Sequence, residues 1–159
     1  MKNLCLLFLF LFTSNLFSQN DLPNLTIKNV NNESINLNDS FKETDKIYVF
    51  SFWATWCGPC IQELDAFSEV YKDWKSEFNF EIVAVSIDDS KTQKRVKPLL
   101  NGKGWDFNVL IDTNQELKRT LGIINVPYTI VVKNKKIVHI QNGYTPANEK
   151  ELHQILKSL

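Results

Sequence analysis

The sequence predicts an α/β fold: a mixed central β-sheet flanked by helices, with a β-hairpin near the N-terminus. A buried strand, an amphipathic helix and a second strand follow one another across residues 46–88, which is the order of a βαβ unit with parallel strands. Residues 128–143 contain two strands around a very short turn, and so short a link permits only antiparallel pairing. The chain of 159 residues suffices for one core, and no repeat or linker indicates a second domain.

The N-terminus has the pattern of a secretory signal peptide over residues 1–18. Lys2 supplies a positive start, residues 4–12 are continuously apolar, and a more polar exit ends at Ser18. The apolar stretch is shorter than the roughly 20 residues that a membrane-spanning helix needs. We therefore expect cleavage and export of a domain comprising residues 19–159, with an uncleaved N-terminal anchor as the alternative.

The first half of the expected domain contains a hairpin, a strand, a helix and another strand. Residues 25–37 alternate apolar and polar side chains around Asn-Asn-Glu-Ser, as a β-hairpin does. KIYVFSFWAT, residues 46–55, is rich in β-branched and aromatic residues, which predicts a buried central strand. Apolar residues at helical spacing predict an amphipathic helix over 59–76, and EIVAVSID predicts a strand over 81–88.

The second half is less regular and ends in a hairpin and a helix. Gly122 ends a predicted short helix at 115–121, and apolar residues recur at helical spacing in the predicted last helix, 147–159. The predicted elements are a helical stretch at 91–101, a strand or extended connection at 105–112, a short helix at 115–121, two strands within 128–143 and a helix at 147–159.

Charge and cysteine content limit the functions that the chain could have. The chain carries 18 Lys and Arg against 18 Asp and Glu, which predicts no nucleic-acid or anionic-membrane partner. Cys5 lies in the predicted signal peptide, so only Cys57 and Cys60 of the three cysteines remain after cleavage. A disulfide across two intervening residues constrains the unfolded chain little, so a structural staple is the weaker interpretation. The distant His139 and His153 lack zinc-finger spacing to this pair, and we expect no metal.

Three motifs carry a resemblance to a known family. They are FWATWCGPC at 52–60, which ends a buried strand, GIINVPYTIVV at 122–132 and QNGYTP at 141–146. Together they resemble the thioredoxin superfamily, and within it the exported TlpA/ResA-like thiol-disulfide oxidoreductases. The resemblance implies a thioredoxin fold and a redox-active disulfide between Cys57 and Cys60, with no other cofactor.

The two cysteines have different expected roles. Cys57 stands where a strand ends and a helix begins, and unpaired N–H groups and the helix dipole there favour its thiolate, so we expect it to be the nucleophile. Cys60 lies one turn into the helix and is the expected resolving thiol. Pro59 suits the first turn of a helix, and Gly58 leaves room for a substrate chain to pass.

Glu63 is a candidate proton acceptor for Cys60, because it follows on the same helical face and the resembled family often has a glutamate there. If burial raised its pKa, this carboxylate could take the Cys60 proton during resolution. The alternative is an exposed acid that suits the helix dipole and has no further role. Two positions depart from the family: Ser51 stands where thioredoxins have an acid, and Asp65 replaces a common proline.

The resemblance also implies a substrate-binding surface around the cysteines. The matching proline is cis in the family, which would leave the backbone of Val126, before Pro127, free to pair with an extended substrate; an ordinary trans proline that starts a strand is the alternative. Gly143 matches a glycine-containing loop beside the site. Trp56 is expected to contact partners and Trp53 to support the site, with core packing as the alternative for both.

These observations predict an exported, periplasmic and monomeric enzyme that exchanges its dithiol with substrate proteins, most simply as a reductant. By resemblance, one such task is keeping apocytochrome c reduced during cytochrome c maturation, with a membrane thiol-disulfide protein as electron donor. Two other functions stay open: a peroxidase of the same fold, against which the paired cysteines argue, and a redox-inert protein-binding module.

Overall fold

Seven strands form one mixed β-sheet in the computed structural model, which describes residues 21–159. The predicted signal peptide, residues 1–18, lies outside the described residues. No helix among the described residues is long and apolar enough to cross a membrane. The strands are β1 (Thr26–Asn29), β2 (Ser34–Asn36), β3 (Ile47–Trp53), β4 (Phe80–Ser86), β5 (Asn108–Ile111), β6 (Tyr128–Lys133) and β7 (Lys136–Asn142).

Five α-helices accompany the sheet in the described part of the chain. They are α1 (Leu37–Ser40), α2 (Gly58–Glu77), α3 (Val96–Lys103), α4 (Glu116–Thr120) and α5 (Asn148–Ser158), and a 3₁₀ turn over Gln93–Arg95 precedes α3. The element order confirms the predicted α/β class, with the N-terminal hairpin, the βαβ unit and the C-terminal hairpin and helix in the expected sequence.

The strand order across the sheet is β2-β1-β5-β4-β3-β6-β7. The βαβ connections make β3, β4 and β5 parallel neighbours, whereas β6 pairs with β3 in the antiparallel direction. The N-terminal hairpin extends the same sheet through antiparallel pairing of β1 with β5. Strand β3 thus occupies the middle of the sheet, and all of its residues are buried, as its continuous apolar composition predicts.

The register of β3 places Ser51 in the centre of the sheet. Ser51 pairs with Thr129 on β6, and Thr129 pairs in turn with Gln141 on β7. Directly paired residues point to the same face of a sheet, so these three polar side chains form one row across three strands. All three are buried, and we call them the polar row.

Helix α2 covers the polar row with an apolar face. The buried residues of α2 recur every three or four positions and are Cys60, Glu63, Leu64, Phe67, Tyr71 and Trp74. Burial of each large apolar side chain contributes about 1.5–3 kcal/mol. Glu63 is the one acid in this buried set, and it lies opposite the polar row.

The structure differs from the predicted elements in three places. Helix α1 was not predicted; it forms because the side chain of Asn36 accepts a hydrogen bond from the N–H of Asp39 at its start. Helix α3 begins five residues later and ends two residues later than the predicted stretch at 91–101, and its C-cap residue Gly104 adopts a left-handed φ of 65°. Only residues 108–111 of the 105–112 stretch form a strand, and the Trp105 indole ahead of that strand donates a hydrogen bond to Asp65 on α2.

Candidate active site

The cysteine pair lies where β3 passes into α2. Cys57 is the N-cap residue of α2, and its Sγ is bonded to Cys60 Sγ in a disulfide, with 5.3 Å between the two Cα atoms. Cys57 is 7% exposed and Cys60 is 0% exposed, so the first cysteine keeps a small accessible surface and the second has none. This asymmetry matches the order expected of an attacking and a resolving cysteine.

Backbone groups at the start of α2 favour negative charge on Cys57. The Cys57 sulfur accepts a hydrogen bond from the N–H of Cys60 at 3.3 Å, and Pro59 occupies the first turn without leaving a donor unpaired. In the reduced protein the same N–H and the helix dipole would stabilise a Cys57 thiolate. Gly58 has open space where a Cβ would stand, so the chain itself does not demand a glycine there.

The Val126–Pro127 peptide bond faces the disulfide and is cis, as the resemblance implies. The carbonyl oxygen of Val126 lies 3.8 Å from Cys57 Sγ. Gly143, with a left-handed φ of 82°, donates its N–H to the carbonyl oxygen of Pro127 at 2.9 Å. The structure therefore brings Val126, Pro127 and Gly143 together beside Cys57, in the arrangement that the sequence motifs predict.

Glu63 is completely buried and hydrogen-bonded to the polar row. Its Oε2 accepts from the Ser51 hydroxyl at 2.7 Å, and the Thr129 hydroxyl lies 3.3 Å from both carboxyl oxygens. Gln141 Nε2 is 3.4 Å from Glu63 Oε1. The carboxyl group thus has three neutral partners and, among the described residues, no cation within salt-bridge distance.

Burial without a cation raises the pKa of Glu63 from 4.5 to about 7, and the hydrogen bonds from Ser51 and Thr129 offset only part of that rise. Glu63 follows Cys60 by three residues, one turn along the same buried face of α2. A carboxyl group with this pKa can take or give a proton near neutral pH. The alternative of an exposed acid is wrong for Glu63, because none of its surface is accessible.

Asp65 does not displace Glu63, although it stands where the family often has a proline. Helix α2 continues unbroken through both residues, and Asp65 accepts hydrogen bonds from Trp105 Nε1 at 3.0 Å and Lys103 Nζ at 2.6 Å. Asp65 thereby ties the end of α3 and the residue that follows Gly104 to the helix that carries the cysteines.

The two tryptophans of the motif occupy different environments. Trp56 is 58% exposed next to Cys57, while Trp53 is fully buried and packs edge-to-face against Trp105 with ring centroids 5.5 Å apart. Core packing is thus wrong for Trp56, whereas the burial of Trp53 is compatible with both expectations, support of the site and core packing. Ile124, three residues before Pro127, is 81% exposed and was not singled out in the sequence.

A second buried carboxylate, Asp88, supports the loop before Cys57 and was also missed. It accepts from the Thr55 N–H at 2.8 Å, the Thr55 hydroxyl at 2.6 Å and the Ser86 hydroxyl at 2.8 Å. Asp88 follows β4, and a polar residue just beyond the carboxyl end of a parallel strand is the sequence signal that could have found it. The described residues contain no group of three potential metal ligands close enough to hold an ion.

Known proteins resemble this chain over most of its length. The sequence profile of the AhpC/TSA family matches residues 19–140. The thiol-disulfide oxidoreductase ResA of Bacillus thuringiensis subsp. konkukian is 30% identical over 140 residues, which cover 87% of this chain and 76% of that protein.

Two solved structures are similar as well. An uncharacterized thioredoxin-like protein from Porphyromonas gingivalis matches with a TM-score of 0.76 and 38% identity, over 87% of this chain and 90% of that one. A putative thiol:disulfide interchange protein DsbE from Chlorobium tepidum has a TM-score of 0.75 at 24% identity, over 87% of this chain and 94% of that one, and supports the fold alone. With its thioredoxin fold and CxxC pair, the chain belongs to the AhpC/TSA family as a thioredoxin-like oxidoreductase.

Proposed function

We propose that the protein reduces disulfide bonds in substrate proteins by thiol-disulfide exchange at Cys57 and Cys60. The observation that carries the proposal is the sulfur pair at a helix N-terminus with a buried carboxyl group, Glu63, one turn behind it. The dithiol supplies both electrons, so the reaction needs no bound cofactor.

The first step is attack of the Cys57 thiolate on a substrate disulfide. A bond forms between Cys57 Sγ and one substrate sulfur, and the other substrate sulfur leaves as a thiolate, which takes a proton from solvent. Cys57 suits this step because it is the more exposed of the two cysteines and its sulfur accepts a hydrogen bond from the Cys60 N–H.

The second step is resolution of the mixed disulfide by Cys60. The Cys60 thiol gives its proton to the Glu63 carboxylate, and the resulting thiolate attacks Cys57 Sγ and releases the second substrate thiolate. The protein is left with the Cys57–Cys60 disulfide seen in the structure, and the substrate has gained two electrons. Glu63 suits the acceptor role because its pKa of about 7 lies between that of an ordinary carboxylate and that of a thiol.

The groups around Cys57 form the proposed substrate surface. Val126 and Pro127 present backbone to an extended substrate segment that carries the target cysteine, with Gly143 holding the Pro127 carbonyl. Trp56 offers an exposed apolar face, and the open space at Gly58 leaves room for the substrate chain.

The cellular setting of the proposal rests on the N-terminal pattern and on the relatives. The signal-peptide pattern over residues 1–18 supports a periplasmic location for the domain, either free or anchored by an uncleaved N-terminus. Relatives named thiol-disulfide oxidoreductase ResA support thiol-disulfide exchange. The substrates that we propose are exported thiol proteins, of which apocytochrome c is one case. The protein acts as a monomer and receives electrons from a membrane thiol-disulfide protein.

Reduction of insulin disulfides by the purified reduced protein tests the activity. The wild type should reduce insulin and Cys57→Ser should not, while Cys60→Ser should form one mixed disulfide and stop. Undiminished turnover by Cys57→Ser would show that the assignment is wrong. Peroxide consumption, measured in parallel, separates this function from a peroxidase, which would consume peroxide faster than it reduces insulin.

Trapping in the native host tests the substrates and the compartment. Cys60→Ser should accumulate mixed disulfides between Cys57 and exported proteins, which mass spectrometry identifies. Cytoplasmic proteins alone in the trapped set would contradict the periplasmic assignment.

A further inference from the structure

The buried side chain of Gln141 connects the carboxyl group of Glu63 with the loop beside Pro127. Its Nε2 lies 3.4 Å from Glu63 Oε1 and 3.5 Å from the carbonyl oxygen of Gly143. Gly143 in turn donates its N–H to the Pro127 carbonyl oxygen at 2.9 Å. One amide group therefore bridges the proton-accepting side of the site and its substrate-binding side.

The other end of this amide is buried and unpaired. Among residues 21–159, no hydrogen-bond donor reaches Gln141 Oε1, although that atom is shielded from solvent. Unpaired buried acceptors are uncommon in folded proteins, and each one calls for an explanation. The two contacts of Nε2 are both long for hydrogen bonds, so they hold the amide weakly in its present orientation.

Glu63 needs different partners in its two protonation states. A carboxylate only accepts hydrogen bonds, whereas a neutral carboxylic acid also has an O–H that needs an acceptor. Ser51 holds Oε2 with a short bond of 2.7 Å, while Oε1 has only contacts of 3.3 Å or more. Oε1 is thus the oxygen more available to a proton, and Gln141 lies beside it.

We propose that Gln141 is a positioning residue that couples the protonation of Glu63 to the Gly143 loop, which is the segment 143–147 between β7 and α5. While Glu63 is ionised, Gln141 Nε2 donates to the carboxylate and to the Gly143 carbonyl. When Oε1 takes a proton, the amide turns so that its Oε1 accepts the acid O–H, and Nε2 moves away from Gly143. The unpaired Gln141 oxygen then gains the donor that it lacks in the structure.

The coupling would link substrate release to the arrival of the proton on Glu63, and in this respect the inference rests on the proposed function. The proton leaves Cys60 Sγ and arrives on Glu63 Oε1 as the mixed disulfide is resolved. The Gly143 loop would therefore be held while the substrate is attached to Cys57 and loosened when the substrate leaves. No net charge enters the site, because one thiolate forms as one carboxylate is neutralised.

The effect of Glu63 must be distinguished from the effects of other titratable groups near it. Cys60 is one turn away on α2, and His139 lies on β7 two residues before Gln141, on the same strand face. The pKa of the Tyr144 phenol is raised by burial first, then by Glu149, to which it donates a hydrogen bond, and only to a lesser extent by Glu63. Disulfide-bonded Cys60 does not titrate, so the oxidised protein removes this neighbour from the measurement.

An NMR pH titration of the oxidised full-length protein tests the coupling without any turnover. In the wild type, the carboxyl carbon of Glu63 and the backbone amide of Gly143 should titrate with one shared midpoint. In Gln141→Met, Glu63 should still titrate, but the change of the Gly143 amide at that midpoint should be lost. Gln154→Met, an exposed glutamine on α5, should behave as the wild type does. If Gln141→Met does not fold, Gln141→Asn, whose amide is too short to bridge, carries the same expectation.

Three results would overturn the proposal. The first is a chemical shift of the Gly143 amide that does not change at the Glu63 midpoint in the wild type, and the second is the same change as the wild type in the Gln141 variants. The third result is a change of that shift that persists in Glu63→Gln. The last result would assign the shift to a titratable group other than Glu63. Because insulin reduction is measured separately, a protein can fail this titration and still be a disulfide reductase.

Discussion

Replacement of Glu63 by glutamine should remove a pH-dependent cost from the stability of the oxidised protein. Glutamine preserves the size of the side chain and can still accept from Ser51 and Thr129, but it carries no charge at any pH. The wild-type carboxyl group, in contrast, must ionise in a buried site above its pKa of about 7.

The sign and the size of the effect follow from the raised pKa. The folded state holds the Glu63 proton more tightly than the unfolded state, so this residue's contribution to stability is fully present below pH 4.5 and is lost as the pH rises through about 7. At about 1.4 kcal/mol per pKa unit, the rise from 4.5 to about 7 corresponds to about 3 kcal/mol. The free energy of unfolding of Glu63→Gln relative to the wild type should therefore increase by about 3 kcal/mol across this window.

Urea unfolding of both oxidised proteins between pH 4.5 and 8 measures the difference. Glu69→Gln, at an exposed position on the same helix, controls for the loss of one negative charge. Parallel stability profiles for the wild type and Glu63→Gln would refute the reasoning, because they would mean that Glu63 has the same proton affinity in the folded and unfolded chains.

The remaining predictions concern the rate, the loop before Cys57 and the substrate surface. Stopped-flow resolution of a mixed disulfide should slow as the pH falls through about 7, because Glu63 becomes protonated, and Glu63→Gln should lack this inflection. Asp88→Ala should lower the free energy of unfolding by about 3 kcal/mol, because the Thr55 and Ser86 donors lose a buried acceptor, and Asp88→Asn should lose less in the same urea assay. Trp56→Ala should change stability by less than about 0.5 kcal/mol but raise KM for insulin several-fold, since this ring is mostly exposed beside Cys57.

The long elements were predictable because their periodicity is strong. Strand β3 and helix α2 lie within a few residues of their predicted ends, since a continuous apolar run and a regular apolar stripe each leave one arrangement that buries them. Helix α1 was missed because it is a single turn that depends on one capping side chain, Asn36. The stretch at 105–107 depends on the contact of Trp105 with Asp65, 40 residues away, which no local pattern encodes.

In the candidate site, too, the residues of one segment were predictable and the contacts between separate strands were not. Cys57, Cys60 and Glu63 share one short segment, so their spacing along a predicted helix already brings them to one side. The polar row depends on the register of three strands. Gln141 contacts Glu63 although the two residues are 78 positions apart in the sequence. Ser51 had a clear sequence signal, the absence of an acid at that strand position, but its hydrogen bond to Glu63 required the structure.

Mass spectrometry of a single-turnover reaction tests the central claim of thiol-disulfide exchange at Cys57 most directly. The reduced protein would be mixed with a disulfide-bonded substrate and quenched with acid at successive times. Cys60→Ser should accumulate one adduct, with the substrate attached at Cys57, while the wild type should pass through that adduct to the Cys57–Cys60 disulfide and free reduced substrate. An adduct on Cys60 in Cys57→Ser that forms as fast as the wild type reacts would contradict the account.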